Sequence, residues 1–183
     1  MGFQMTTSHA TYLETAFLQL SFAVKLRHYI DEHPIDKGQF DISLTVEDAD
    51  DRICLPHNEF KSQEDLLLAA DNNISICFGV AAISLWLAIE EKGHYLPKSL
   101  PNPLQTTQHK LAGLIYMIRC CFAHGTAVPK WNITHDKYKI VYDIGSQQVD
   151  LRTVHGEPFT RESIGGYQTL WLLRREAISN NML

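Results

Sequence analysis

At 183 residues the chain is long enough for one well-filled core and short for two full domains, so a single domain over 1–183 is expected. A hydrophobic content of 45% and a charged content of 20% exclude the disordered and collagen-like classes and describe an ordinary globular protein. The net charge of −5 argues against a protein that coats nucleic acid through bulk electrostatics.

The elements follow in order. Residues 1–7 read as a loose start. Thr11 with Glu14 three positions later forms a capping box, and Leu13, Phe17, Leu20 and Val24 follow at helical spacing until Pro34 ends the run. Arg27 and His33 read as a solvated last turn. From Gln39 the period becomes two. Phe40, Ile42, Leu44 and Val46 alternate with polar residues, Glu47 to Asp51 makes an acidic turn, and Ile53 and Leu55 resume the alternation up to Pro56. This predicts a hairpin, inserted to cover an edge of a helical bundle.

Ser62, followed by Gln63, Glu64 and Asp65, is an N-cap with acids in the first turn. The long helix it starts should reach Lys92 or Gly93. Its second half is apolar nearly all round, as expected of a core or subunit-interface helix. The apolar run Ile74 to Ile89 is 16 residues, short of the roughly 20 that a membrane span needs. The connection from His94 to Pro103 predicts a new helix with Asn102 as cap and Pro103 as first residue. On that helix Leu111, Leu114, Ile115, Ile118 and Phe122 recur at helical spacing, Gly125 is the expected stop, and His109 falls off the stripe.

After Pro129, Tyr138, Ile140, Tyr142 and Ile144 alternate, Gly145-Ser146 supplies a turn, and Val149, Leu151 and Thr153 return. Trp131 to Ile133 is expected to join this second hairpin in a small sheet, with the first hairpin the next candidate to pair with it. Thr160 is the expected cap of a last helix, with Phe159 on Ile164 as a staple, Tyr167, Leu170, Trp171 and Leu173 facing inward, and Asn180 to Leu183 fraying. The fold class read from this order is mainly α, four long helices with two β-hairpin insertions.

Chemistry concentrates where the third long helix ends. Arg119 carries a fixed fork of donors suited to a phosphate, and His124 is the side chain that exchanges a proton near neutral pH. Five residues correspond to about 140° of helical rotation, so the two converge only if the helix ends before His124, if Arg119 reaches around, or if a second copy contributes across a two-fold axis. The surrounding charge is permissive: Asp31 to Asp65 holds eleven acids against Lys37, Arg52 and Lys61, whereas His94 to Ile140 holds six Lys or Arg against Asp136 alone. Tyr116, one turn before Arg119, is placed to brace the guanidinium. Tyr116 and Lys130 are taken as substrate-binding candidates.

The stretch Ile118-Arg119-Cys120-Cys121-Phe122-Ala123-His124-Gly125, after a hydrophobic helix and before Pro129-Lys130-Trp131, resembles the RNase-type motif of HEPN domains. The resemblance covers about twenty residues. It implies a HEPN-like helical bundle acting as a homodimer, with Arg119 and His124 carrying metal-independent RNA cleavage that leaves cyclic phosphate ends. It also implies RNA as substrate and an antitoxin or other protein as partner, in a toxin or defence setting. The family often has Asn, Asp or His directly after the motif Arg. Here Cys120 stands there, and the alternative expectation is a HEPN-like dimer that does not cut and serves as a binding or regulatory module.

Other chemistries lack their parts. No Gly-x-Gly-x-x-Gly, P-loop, Gly-x-Ser-x-Gly or His-Glu-x-x-His occurs. The nine histidines form no convincing ligand pair on a helix, so neither a metal nor a cofactor is expected. Cysteines at 54, 77, 120 and 121 show no Cys-x-x-Cys spacing and read as reduced thiols of a cytoplasmic protein.

Overall fold

The computed structural model describes residues 9–48, 51–93, 95–123, 125–126 and 128–183, and these are mainly helical, with two two-stranded antiparallel sheets. They divide into two compact units: the described part of Met1–Leu20 with Ser75–Leu183, and Ser21–Ile74. Two long helices, α1 (His9–Glu32) and α3 (Gln63–Glu91), contribute to both.

In the larger unit the stripe on α1 is as read: Leu13, Phe17 and Leu20 are buried together with Ala16. Thr11 is not a cap, because the helix already begins at His9; its carbonyl accepts the Thr15 hydroxyl one turn on, at 3.0 Å. The later part of α3 buries Phe78, Ala81, Ala82, Leu85, Trp86, Ala88 and Ile89. The helix stops at Glu91, and Gly93 follows at a φ of 75°, a left-handed position that a side chain resists. At 29 residues α3 is, among the described residues, the one helix long and apolar enough to cross a membrane by length and composition, and half of that apolar window is buried within the protein.

The third long helix, α4 (Thr107–Phe122), starts later than expected. Asn102 and Pro103 lie in the connection, and Thr106 is the cap: its hydroxyl accepts the His109 N–H at 3.1 Å, while the His109 ring nitrogen accepts the Thr106 N–H at 3.4 Å. His109 is therefore half of a capping box rather than a solvated surface residue. The helix ends at Phe122 with Ala123 as C-cap, short of Gly125, which does not adopt a positive φ.

The second hairpin is β3 (Val141–Ile144) paired with β4 (Gln147–Asp150), with Tyr142, Ile144 and Val149 buried. Tyr138 belongs to a preceding 3-10 turn (Asp136–Tyr138), and Trp131 to Ile133 joins no strand. Nor do the two hairpins pair; each is its own sheet. Thr160 does receive the Ser163 N–H, at 3.3 Å, but beside a 3-10 turn (Glu162–Ile164) whose N-cap is Arg161, not at the start of the last helix. Gly165 and Gly166, at φ of 86° and 100°, interrupt the chain before α5 (Gln168–Ser179). Leu170 and Leu173 are buried on α5, and the Trp171 ring meets Phe17 edge-on at 5.9 Å. The chain end does not fray: Met182 is fully buried and its N–H bonds the Ala177 carbonyl at 2.9 Å.

In the smaller unit Ser62 caps α3 as read. The Asp65 N–H reaches the Ser62 hydroxyl and the Ser62 N–H reaches the Asp65 carboxylate, both at 3.2 Å. Arg27 is not a solvated last-turn residue; its guanidinium bonds Asp31 one turn on, and its Nε donates to Asp71 of α3 at 3.2 Å. Phe40 lies in a short helix, α2 (Lys37–Phe40), rather than in a strand. The first hairpin, β1 (Leu44–Asp48) with β2 (Asp51–Leu55), sets Leu44 opposite Leu55 and Val46 opposite Ile53. Its base is fastened by the buried Asp41, whose two carboxylate oxygens accept the Glu59 and Phe60 N–H groups at 3.1 and 2.9 Å. Ile42, Leu44, Ile53 and Leu55 are exposed rather than buried against a core.

Candidate functional site

The stripe that holds α4 in place is the one that fixes Arg119. Leu111, Leu114, Ile115, Ile118 and Phe122 are all buried, which leaves Tyr116, Arg119 and Cys120 half-buried on the remaining face. Arg119 is the basic residue of the last turn, where its charge meets the negative end of the helix dipole. The guanidinium Nε is buried and has no hydrogen-bond partner, and no ion pair to Arg119 occurs among the described residues. A buried donor left unmade costs about 1–3 kcal/mol. An acceptor brought by a ligand is one way to recover it.

Tyr116 packs between two aromatic rings, Trp86 of α3 at 4.9 Å and Tyr138 at 5.8 Å. Burial pushes its phenol above the ordinary range. The Cys120 thiol one turn on adds to the shift, as does the charge of Glu90, while Arg119 acts in the opposite direction. Tyr138 is only 2% exposed, and its hydroxyl is also buried without a partner. Its phenol is pushed up to about 12 by burial and by the nearby Tyr116 and Cys120. Sequence reasoning took Tyr138 for a strand residue and missed it here. The only signal was its aromatic type, because its neighbours Tyr116 and Cys120 are brought in by folding.

His124 lies outside the described residues. The chain on either side of it is described, and it is anchored twice in one aromatic cluster. Before it, Phe122 meets Phe159 at 5.0 Å and Phe78 at 5.8 Å. After it, Trp131 meets the same Phe159 ring at 5.2 Å. Backbone bonds reinforce the second anchor: the Trp131 N–H donates to Glu157 and the Phe159 N–H to Pro129, both at 2.9 Å. Lys130 sits in this short antiparallel bridge, opposite Pro158, with its side chain exposed. Among the described residues no hydrogen bond or ion pair links Lys130 to Arg119 or Tyr116.

The structure thus brings Arg119, Tyr116 and Cys120 together on one helix, adds Tyr138 to them, and leaves Lys130 to the backbone bridge that follows. Among the described residues no three His, Cys, Asp or Glu side chains are grouped to hold a metal ion. An open pocket of about 360 Å³ lies away from these residues, with Lys110, Asp143 and Glu176 among its lining groups. No family model matches the chain, and comparison with curated proteins and with solved structures likewise gives no match.

Proposed function

We propose that the chain is a HEPN-like helical domain that cleaves RNA without a metal, working as a dimer in which two copies of Arg119 and His124 share one cleft. What carries the reading is the state of Arg119. It is a permanently charged side chain at the end of a core helix, five positions before a histidine, and its buried Nε has no acceptor among the described residues. In this reading the guanidinium offsets the charge that builds on the phosphate as the ribose 2′-oxygen attacks. His124 of one copy takes the 2′-hydroxyl proton, and His124 of the other gives a proton to the departing 5′-oxygen. Tyr116 braces the guanidinium, and Lys130 meets the RNA backbone.

A second reading has a specific observation in its favour. The Cys120 thiol stands where the family often has a polar acid-amide or imidazole side chain, one turn from Tyr116, whose phenol it helps to push up. A thiol in this place contributes little to a phosphate site, which favours a non-cutting dimer that binds or regulates another molecule.

One assay separates the two. Purified protein and the Arg119→Ala, His124→Ala and Cys120→Asn variants are incubated with mixed single-stranded RNA in excess chelator, and product ends are mapped. The nuclease reading expects cyclic phosphate ends from the parent and on the order of a thousandfold less product from either Ala variant. Cleavage that appears only in Cys120→Asn supports a binding module that has lost the activity. Absence of cleavage in every form, or equal cleavage by all, overturns the assignment of Arg119 and His124.

A further inference from the structure

The first hairpin is built like a surface waiting for another chain. Leu44, Ile53 and Leu55 share one face by register, and Ile42 continues the alternation below β1. Within the smaller unit that face is exposed among the described residues: Ile42 is 56% exposed, Leu44 49%, Ile53 57% and Leu55 42%, while Phe40 at the base is 52% exposed. The opposite face carries Thr45 and Cys54, also exposed. A two-stranded sheet is marginal in water unless a third strand or an apolar layer completes it. This one has only two strands, so its outer backbone edges carry no strand partner. Its base is fastened by Asp41 to the Glu59 and Phe60 backbone.

Charge selects the occupant. Between Ser21 and Ile74 there are twelve Asp or Glu against five Lys or Arg. Near the hairpin tip β1 ends in Glu47 and Asp48 and β2 begins with Asp51, against Arg52 as the one base of these strand ends. Such a field repels RNA and anionic lipid, and it repels the same hairpin of a second copy. We infer that this hairpin is the docking site for a basic segment of another protein, which adds as an extended strand at the outer edge of β2 and sets alternate apolar side chains beside Ile53 and Leu55, widening the apolar face they share with Leu44. Strand addition supplies backbone hydrogen bonds to a free edge, and the alternating apolar side chains give register. Lysines or arginines at the intervening positions meet the acids of the tip and speed association.

The test uses the full chain and three labelled synthetic peptides followed by fluorescence anisotropy. One alternates Lys with Val or Ile, the second has the same composition with its apolar residues in one block, and the third replaces each Lys by Glu. A Leu44→Thr/Ile53→Thr protein serves as control. Both positions are exposed and threonine keeps the strand preference, so circular dichroism and thermal melting should match the parent. The inference expects saturable binding of the alternating basic peptide, weakened by salt, and roughly tenfold weaker with the double variant and with the blocked isomer. Equal binding of the blocked isomer, equal binding by the double variant, tighter binding of the acidic peptide, or no binding of the alternating basic peptide each overturns it. So does sedimentation that shows the parent self-associating through this face and the double variant not.

Discussion

A single hydroxyl shows how the candidate site is strained. Tyr138 is buried against Tyr116, its carbonyl accepts the Tyr142 hydroxyl at 3.2 Å, and its own hydroxyl has no acceptor. Removing such a group while keeping the ring relieves an unmade bond and leaves the packing intact. Tyr138→Phe is expected to raise stability by about 1 kcal/mol and Tm by about 2–4 °C, read by calorimetry. A fall in Tm would mean that the hydroxyl finds an acceptor in solution. None of this was legible in the sequence. Arg119 was, because position on an amphipathic helix and proximity to its end are local properties. The unpaired state of its Nε was not, because that depends on which acceptors the rest of the fold brings near.

At the scale of elements, the approach of α3 to α4 turns on one glycine. A Cβ on Gly79 would fall 2.5 Å from the Phe122 ring, inside any normal contact, and that ring belongs to the cluster that anchors the chain around the candidate site. In an open helix Ala would be favoured over Gly by about 1 kcal/mol. Here the clash outweighs the preference. Gly79→Ala is expected to destabilise by about 1–3 kcal/mol, measured by the urea midpoint, and to lower any RNA cleavage in parallel. Unchanged stability would show that Phe122 has room to move.

The element starts were the least legible part of the fold. Ser62 is the cap it was read to be, while Thr11, Asn102 and Thr160 are not caps of long helices, and the reason is common to all three. Each has the right side chain in a plausible place. The helix starts wherever some residue best meets the first free N–H groups, as Thr106 does with His109, or wherever left-handed glycines such as Gly165 and Gly166 allow it. Apolar stripes survived this uncertainty because they sum many residues. The stripe on α4 is buried at every position named from the sequence.

At the scale of the whole molecule, burial of phenols links stability to alkaline pH. Tyr116, Tyr138 and Tyr142 are all pushed above the usual phenol value near 10, chiefly by burial, and Tyr138 reaches about 12. The folded protein therefore keeps these protons where the unfolded chain has lost them. Their contribution is fully present below about pH 10 and is lost as pH rises towards and through 12. Spectrophotometric titration should show three of the seven tyrosines ionising late, and the urea midpoint should fall across the same window. Ionisation of all seven near pH 10 with native circular dichroism would contradict the burial.

The aromatic cluster around Phe159 has one more consequence. Phe122 and Trp131 both pack on that ring, so the chain between them is a closed loop whose ends are held independently of its contents. Loop-closure entropy grows only slowly with length, by about 0.6 kcal/mol for each doubling. Changes of length between the two anchors should thus cost the fold little, provided that the bridge of Pro129 and Lys130 to Phe159 and Pro158 is kept. A lineage of such proteins would vary in length here first, while the distance between its two aromatic anchors stayed constant.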